Sequence, residues 1–206
     1  MKKLILKMSV SIDGFVCGAH GDSSWIFTPS SNDADKWTLE NVWNASAHLM
    51  GRRSFHDMAS AWPTSKEKFA PPMNEIPKVV FTRHGLGKPN KKLEADVRSK
   101  RGKQVSPEVW DSWLHPQVCA GKLSAEIKRL KHGSGKPLIA HGGGGFARSL
   151  IRTGLIDEYR LLVHPYALGR GMPIFSELKK PVRLTLIESI RFKSGLLALI
   201  YRSTKK

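Results

Sequence analysis

Residues 138–151 read LIAHGGGGFARSLI: an apolar run, four consecutive glycines, then apolar positions at helical spacing. Glycine loses more backbone freedom on folding than any other residue, so four in a row are costly. A strand, a glycine-rich turn and a helix N-terminus bring several backbone N–H groups to one spot, where the helix dipole adds positive potential. A pyrophosphate fits such a site, and the missing side chains let its oxygens reach the amides. Gly142, Gly143, Gly144, Gly145 and Phe146 are therefore candidate phosphate-binding residues.

The spacing Gly142-x-Gly144-x-x-Ala147 matches the dinucleotide fingerprint in form only. That fingerprint opens the first strand–helix–strand unit and has an acidic residue ending the next strand. Here the turn comes late, and Asp157 and Glu158 begin the next strand. No Gly-Lys pair precedes Ser or Thr, which excludes a Walker A loop. The glycines must hold phosphate in another architecture.

Outward from this turn, strands and helices alternate. Leu4, Leu6, Met8 and Val10 alternate with Lys3, Ile5, Lys7 and Ser9, which reads as a strand turning at Ser11–Gly14. Leu39, Val42, Trp43 and Ala47 follow cap-type residues at helical spacing, and a short strand at 48–50 meets Gly51. A helix is expected from Ser54 to ahead of Pro63, then the β-branched strand PKVVFTR. LSAEIKRLKHG reads as a helix, KPLIAHG as a strand, and 146–153 as a helix closed by Gly154. DEYRLLVHP, RLTLIES and GLLALIYR supply three final strands. The expected fold is a three-layer α/β/α domain over 1–206, with a mostly parallel central sheet and antiparallel C-terminal strands. Residues 84–121 lack periodicity and are expected to form a basic irregular excursion.

Bulk composition narrows the partners. The 34 Lys and Arg against 17 Asp and Glu leave a formal charge of +17, which favours anionic ligands. Cys17 and Cys119 form no metal or disulfide framework, no segment approaches the roughly 18 apolar residues of a membrane span, and the start is a poor signal peptide. The chain reads as cytoplasmic, without a membrane or metal partner.

Two further turns suit anions. Gly51 ends a short strand, and Arg52, Arg53 and Ser54 open a helix; guanidinium groups donate to phosphate in a planar fork. Thr82, Arg83 and His84 end another strand, where open α/β sheets gather ligands. Three anion sites on one domain suit an extended ligand with several phosphates, such as NADPH.

The segments MSVSIDGFVCG (8–18), LMGRRSFHDMA (49–59), KVVFTR (78–83), LIAHGGGGFARSLIRTGLIDEYRLLVHP (138–165) and ALGRGMPIF (167–175) occur in an order that resembles the dihydrofolate reductase-like superfamily. In particular, they resemble the branch related to the reductase domain of bacterial riboflavin biosynthesis. The resemblance implies a central sheet binding NADPH. It places Gly51–Ser54 and Thr82–His84 at the adenosine end, 142–146 at the pyrophosphate, and Val10 and Ser11 near the nicotinamide. It also implies an NADPH-dependent reductase that transfers hydride to a C=N or C=O group of a small heterocycle or carbonyl compound, acting as a homodimer.

Two carboxylates are candidate proton donors. Asp13 sits in the SIDG turn, where an Asx-turn is the structural alternative. Asp35 lies on the first helix, at about the position where the folate-reducing branch keeps its acidic contact; a helix-start carboxylate favoured by the dipole is the alternative. The riboflavin branch keeps a glutamate where this chain has His141, and the zinc deaminase signature of its bifunctional members is absent, which argues against the riboflavin intermediate as substrate. His141 is either a substrate contact or a structural residue.

Residues 83–136 hold thirteen Lys and Arg and five Asp and Glu, near Trp110 and Trp113. A nucleic-acid-binding protein is the rival reading, with a solvated loop preferred. A nucleotide-binding module without catalysis is the third.

Overall fold

The computed structural model describes residues 1–28, 30–87, 91–100 and 102–204. The alternating first segment forms β1 (Leu4–Ser11), followed by short β2 (Phe15–Gly18) and a 3-10 turn at Ser24–Phe27. Helix α1 (Asn32–Trp43) leads to β3 (Ala47–Gly51) and α2 (Arg52–Ala59). Then come α3 (Ala70–Glu75), β4 (Lys78–Phe81), α4 (Lys91–Arg98), α5 (Pro107–Leu114) and β5 (Gln117–Cys119). The remainder is α6 (Leu123–Lys131), β6 (Leu138–Gly142), α7 (Gly144–Arg152), β7 (Glu158–His164), β8 (Gly171–Pro173), β9 (Leu184–Arg191) and β10 (Leu197–Ser203).

Eight strands form one sheet in the order β5-β4-β3-β6-β1-β7-β10-β9. The pairs from β5 through β7 are parallel, and β10 and β9 join antiparallel, as expected. β2 and β8 pair antiparallel in a small second sheet. Because side chains alternate across a strand, Leu4, Leu6, Leu49, Leu138 and Ala140 pack with Ile127 of α6 and Ala147, Leu150 and Ile151 of α7. The opposite face meets α1 through Ala34 and Leu162, and α2, α3 and α5 through Met50, Val80, Phe55, Met73 and Trp113. Helices on both faces of the sheet make three layers.

The expected irregular excursion at 84–121 is not irregular in the described residues. It carries α4, α5 and the edge strand β5; residues 88–90 and 101 lie outside the described set. Trp110 and Trp113 are buried rather than available for stacking on bases. The Trp110 indole donates to the Gly102 carbonyl at 3.0 Å, and that of Trp113 to Asn74 Oδ1 at 2.8 Å. Apolar residues too sparse to show a period still anchor α4 and α5, because a few large rings close a core that α2 and α3 already half build. Helices α2 and α7 also start two residues earlier than their patterns suggest, so Arg52, Arg53, Gly144 and Gly145 are helical.

Candidate functional site

A parallel sheet points the C-terminal ends of its strands to one edge of the molecule, and three of the strand–helix turns meet there. Gly51 is the N-cap of α2, Lys122 of α6 and Gly143 of α7. None of the three contributes a side-chain bond to its helix's first turn, which leaves N–H groups directed at the same region. Between them runs a cleft of about 780 Å³, lined by Gly51, Arg52, Arg53, Phe81, Thr82, Arg83, Gly145 and Phe146, together with residues of α6 and α7. Its volume falls within the usual range for small-molecule and cofactor sites.

Each turn is built by local packing. Phe81 at the end of β4 stacks on Phe146 in the first turn of α7, with ring centroids 5.0 Å apart. A Cβ on Gly51 would stand 3.2 Å from the Phe146 Cβ, so the α2 and α7 turns lie against each other. Thr82 closes its own loop by donating to the Gly85 carbonyl at 2.9 Å and accepting from the His84 N–H at 3.3 Å.

The four glycines separate by cause. A Cβ on Gly142 would crowd Met50 and Ser54 at 3.1 and 3.3 Å; one on Gly144 would meet Met172 Sδ and Val16 Cγ2, both at 2.6 Å. Gly143 has φ +77°, a conformation that L side chains rarely adopt, and its Cβ would fall 2.6 Å from Ser54 Oγ. Only Gly145 has nothing near its would-be Cβ, and it lines the cleft. The protein's own side chains account for three of the glycines, and open space at the cleft for the fourth.

Of the expected cofactor residues, the structure gathers Gly51, Arg52, Arg53, Thr82, Arg83, Gly145 and Phe146 around the cleft. Ser54, Gly142, Gly143 and Gly144 support it from beneath, and His84 is an exposed neighbour outside its lining. Val10 and Ser11 are buried at the end of β1, outside this cleft. Lys122, Ser124, Ser149, Arg152 and Thr153 also line it, and sequence reading missed them. A helix following a short strand was the available signal for Lys122 and Ser124, but β5 was hidden in the basic stretch. Among the described residues, no carboxylate lines the cleft. Arg152 pairs with Glu177 at 3.4 Å, while Arg52, Arg53, Arg83 and Lys122 form no ion pair among the described residues.

The two carboxylate candidates are otherwise engaged. Asp13 accepts from Ser11 Oγ at 2.5 Å, from Leu168 N at 3.0 Å and from Gly169 N at 2.7 Å. The Ser11 hydroxyl first, and those backbone donors after it, hold the Asp13 carboxyl below its usual range. A carboxyl held ionised in this way anchors a loop and is poorly suited to donate a proton. Asp35 forms an ion pair with Lys68 and accepts from Ser30 Oγ at 2.8 Å.

His141 is the penultimate residue of β6. Its ring lies edge-on to that of His48, with centroids 4.6 Å apart. His48 is fully buried, and its Nε2 is 3.2 Å from the Pro72 carbonyl, to which it donates. Burial pushes the His48 imidazole down to about 4 and holds His141 well below its ordinary value, with Lys7 adding to the effect on His141. Burial likewise lowers the Lys7 ammonium to about 8.

The profile of the family described as the RibD C-terminal domain matches residues 2–198. The chain is 27% identical over 201 residues to the uncharacterized protein YyaP of Bacillus subtilis (strain 168), covering 97% of this chain and 94% of that one. Among solved structures, it resembles a putative riboflavin biosynthesis protein from Shewanella sp. PV-4, with a TM-score of 0.71, 19% identity and full coverage of both chains. It also resembles dihydrofolate reductase from Enterococcus faecalis, complexed with NADP(H), with a TM-score of 0.60, 12% identity, and coverage of 98% of this chain and 97% of that one. The fold is that of the dihydrofolate reductase-like proteins.

Proposed function

The chain belongs to the RibD C-terminal domain family, a reductase-like family, and from that premise we propose that it is an NADPH-dependent reductase of a small carbonyl or imine compound. One observation carries the cofactor assignment. Three strand–helix turns from distant parts of the chain share one cleft, which four cations without carboxylate partners approach. That donor set suits a ligand with several phosphates. The residues fit the group: Gly145 leaves room against the first turn of α7, and the N–H groups there suit a pyrophosphate. Arg52, Arg53, Arg83 and Lys122 would take the adenosine end, including a 2′-phosphate. Val10 and Ser11 end the strand next to β6 and would flank the nicotinamide.

When bound, the reduced nicotinamide supplies a hydride. The chain's own contribution is to fix the ring's position and to exclude water. Ser11 Oγ is committed to Asp13, and that pair ties the β1 turn to the 168–169 loop, keeping the end of β1 in place.

The test is to follow NADPH oxidation across pterins, folates and small carbonyl compounds. Turnover of at least one class is expected. Tight NADPH binding with no turnover across the panel would leave a nucleotide-binding module in place of an enzyme. Salt-sensitive retention of duplex DNA without saturable NADPH binding would favour the nucleic-acid reading.

A further inference from the structure

Six buried side-chain nitrogens lack a hydrogen-bond partner among the described residues, and all but Arg148 Nε belong to two contacting ring pairs. The five are Trp25 Nε1, His48 Nδ1, His141 Nε2 and both ring nitrogens of His164, although the His164 ring also has the Thr28 backbone beside it. Buried polar atoms are nearly always bonded, so such a concentration needs a ligand or solvent to explain it. His48 and His141 are in ring contact, and the edge of His164 meets Trp25 with centroids 5.3 Å apart. Lys7 stands between the two pairs: on β1 it follows Leu6, whose β6 partner Ala140 precedes His141, while His164 lies on β7, along the other side of β1, opposite Ser11. The result is a row over the neighbouring strands β3, β6, β1 and β7, with His48, His141 and Lys7 in one group and His164 with Trp25 nearer the end of β7.

Among the described residues, the charged groups nearest this row are engaged, with Asp33 of α1 accepting from Lys193 N at 3.0 Å and Glu40 exposed to solvent. Glu158, on the β7 strand that pairs with β1, is held by Arg160 at 2.6 Å and lies 3.9 Å from Lys3. Arg160, opposite Lys7, also donates to Asn41 of α1. Lys78, opposite His48 on β4, donates to the Asn74 carbonyl and to Ser112 Oγ. From α1 and the loop after β1, Asp35 is paired with Lys68 and Asp13 is bound to Leu168 and Gly169. Lys7 has no carboxylate partner among the described residues.

We propose that Lys7, His141, His164 and Trp25 form the pocket for the molecule being reduced, and that the pocket selects a carbonyl compound with an adjacent carboxylate over an amino heterocycle. This rests on the reductase reading above. An ammonium and an indole N–H only donate, and a neutral imidazole donates once. Together they match paired acceptor oxygens, and an anionic oxygen beside the half-buried Lys7 gives its ammonium the partner it lacks. An amino heterocycle presents a donor edge that needs a carboxylate, and this row has none. His48 donates to Pro72 and steadies the His141 ring from behind, making it a positioning residue.

Oxamate, which carries a carboxylate beside a carbonyl and resists reduction, tests this by calorimetry and by the ring-proton NMR signals of the histidines. Saturable shifts of His141 and His164 are expected. Lys7→Met should weaken oxamate by at least about tenfold, with His141→Gln as a second, milder variant, while NADPH affinity is unchanged. His141→Glu should invert the preference toward 2,4-diaminopyrimidine. Tighter binding of diaminopyrimidine than oxamate to the wild type, or oxamate binding indifferent to both Lys7→Met and His141→Gln, would overturn the proposal. Failure of NADPH to bind while oxamate still shifts these signals would strike the reductase reading and support the pocket.

Discussion

The glycine run shows how one residue type serves two purposes within four positions. Gly144→Ala would drive a methyl into Met172 and Val16, and overpacking of this kind costs about 1–3 kcal/mol. Gly145→Ala meets open space and adds a better helix former, so stability should hold or rise by up to about 1 kcal/mol while NADPH affinity falls. Thermal unfolding and cofactor titration of the two variants would separate the roles; equal effects on both readouts would show that the packing account is wrong. The run could be read from sequence as a close approach of something to the backbone. That its own side chains make most of the approach could not, because Ser54 and Met58 of α2, Val16 of β2 and Met172 of β8 come from three distant segments.

His48 supplies a second residue-scale expectation. Its folded value of about 4 lies below the roughly 6.5 of an unfolded chain, so between these values the unfolded state binds more protons. Stability is therefore complete above about pH 6.5 and is lost as pH falls toward about 4, by about 3 kcal/mol from this group. Urea unfolding from about pH 7.5 down to about pH 4 should show that slope, and His48→Gln should make it shallower. Identical slopes in the two proteins would mean that His48 is not held neutral by burial.

At the scale of elements, α5 carries the largest difference from the sequence-based expectation. Lysines and glycines dominate the stretch around it, and the two tryptophans that anchor it are too few to show a period. Trp113 also lies under the Lys78 ammonium, 4.6 Å from the ring centroid. Trp113→Ala should therefore cost about 3–5 kcal/mol. Retained stability with weakened DNA binding would instead mark the ring as an exposed stacking platform. The antiparallel end of the sheet raises a separate expectation. Edge strand β9 exposes Leu186 and Ile187, and an apolar sheet edge invites pairing. Sedimentation is expected to show a dimer that Ile187→Lys dissociates; a wild-type monomer would remove the homodimer from the account.

For the molecule as a whole, the alternation of the main strands and helices outside 84–121 was legible because apolar periodicity survives in a single chain. The antiparallel end was legible because three strands follow one another without helices between them. Which turns meet was not legible. Gly51, Thr82 and Gly145 are far apart in sequence, and only the parallel order β4-β3-β6 brings their strand ends together. The same order sets the second group on neighbouring strands, with Lys7 of β1 beside His141 of β6 and His164 at the end of β7 opposite Ser11. A charge of +17 spread over the surface would raise the on-rate of any anion, so selectivity rather than mere attraction must be measured.

Titration of NADPH and NADH side by side, followed by ligand fluorescence at fixed ionic strength, tests the shared cleft most directly. The account predicts saturable binding with at least about a tenfold preference for NADPH, reduced toward parity by the double substitution Arg52→Gln and Arg83→Gln. Equal affinity for both nucleotides, or a preference untouched by that substitution, would contradict it.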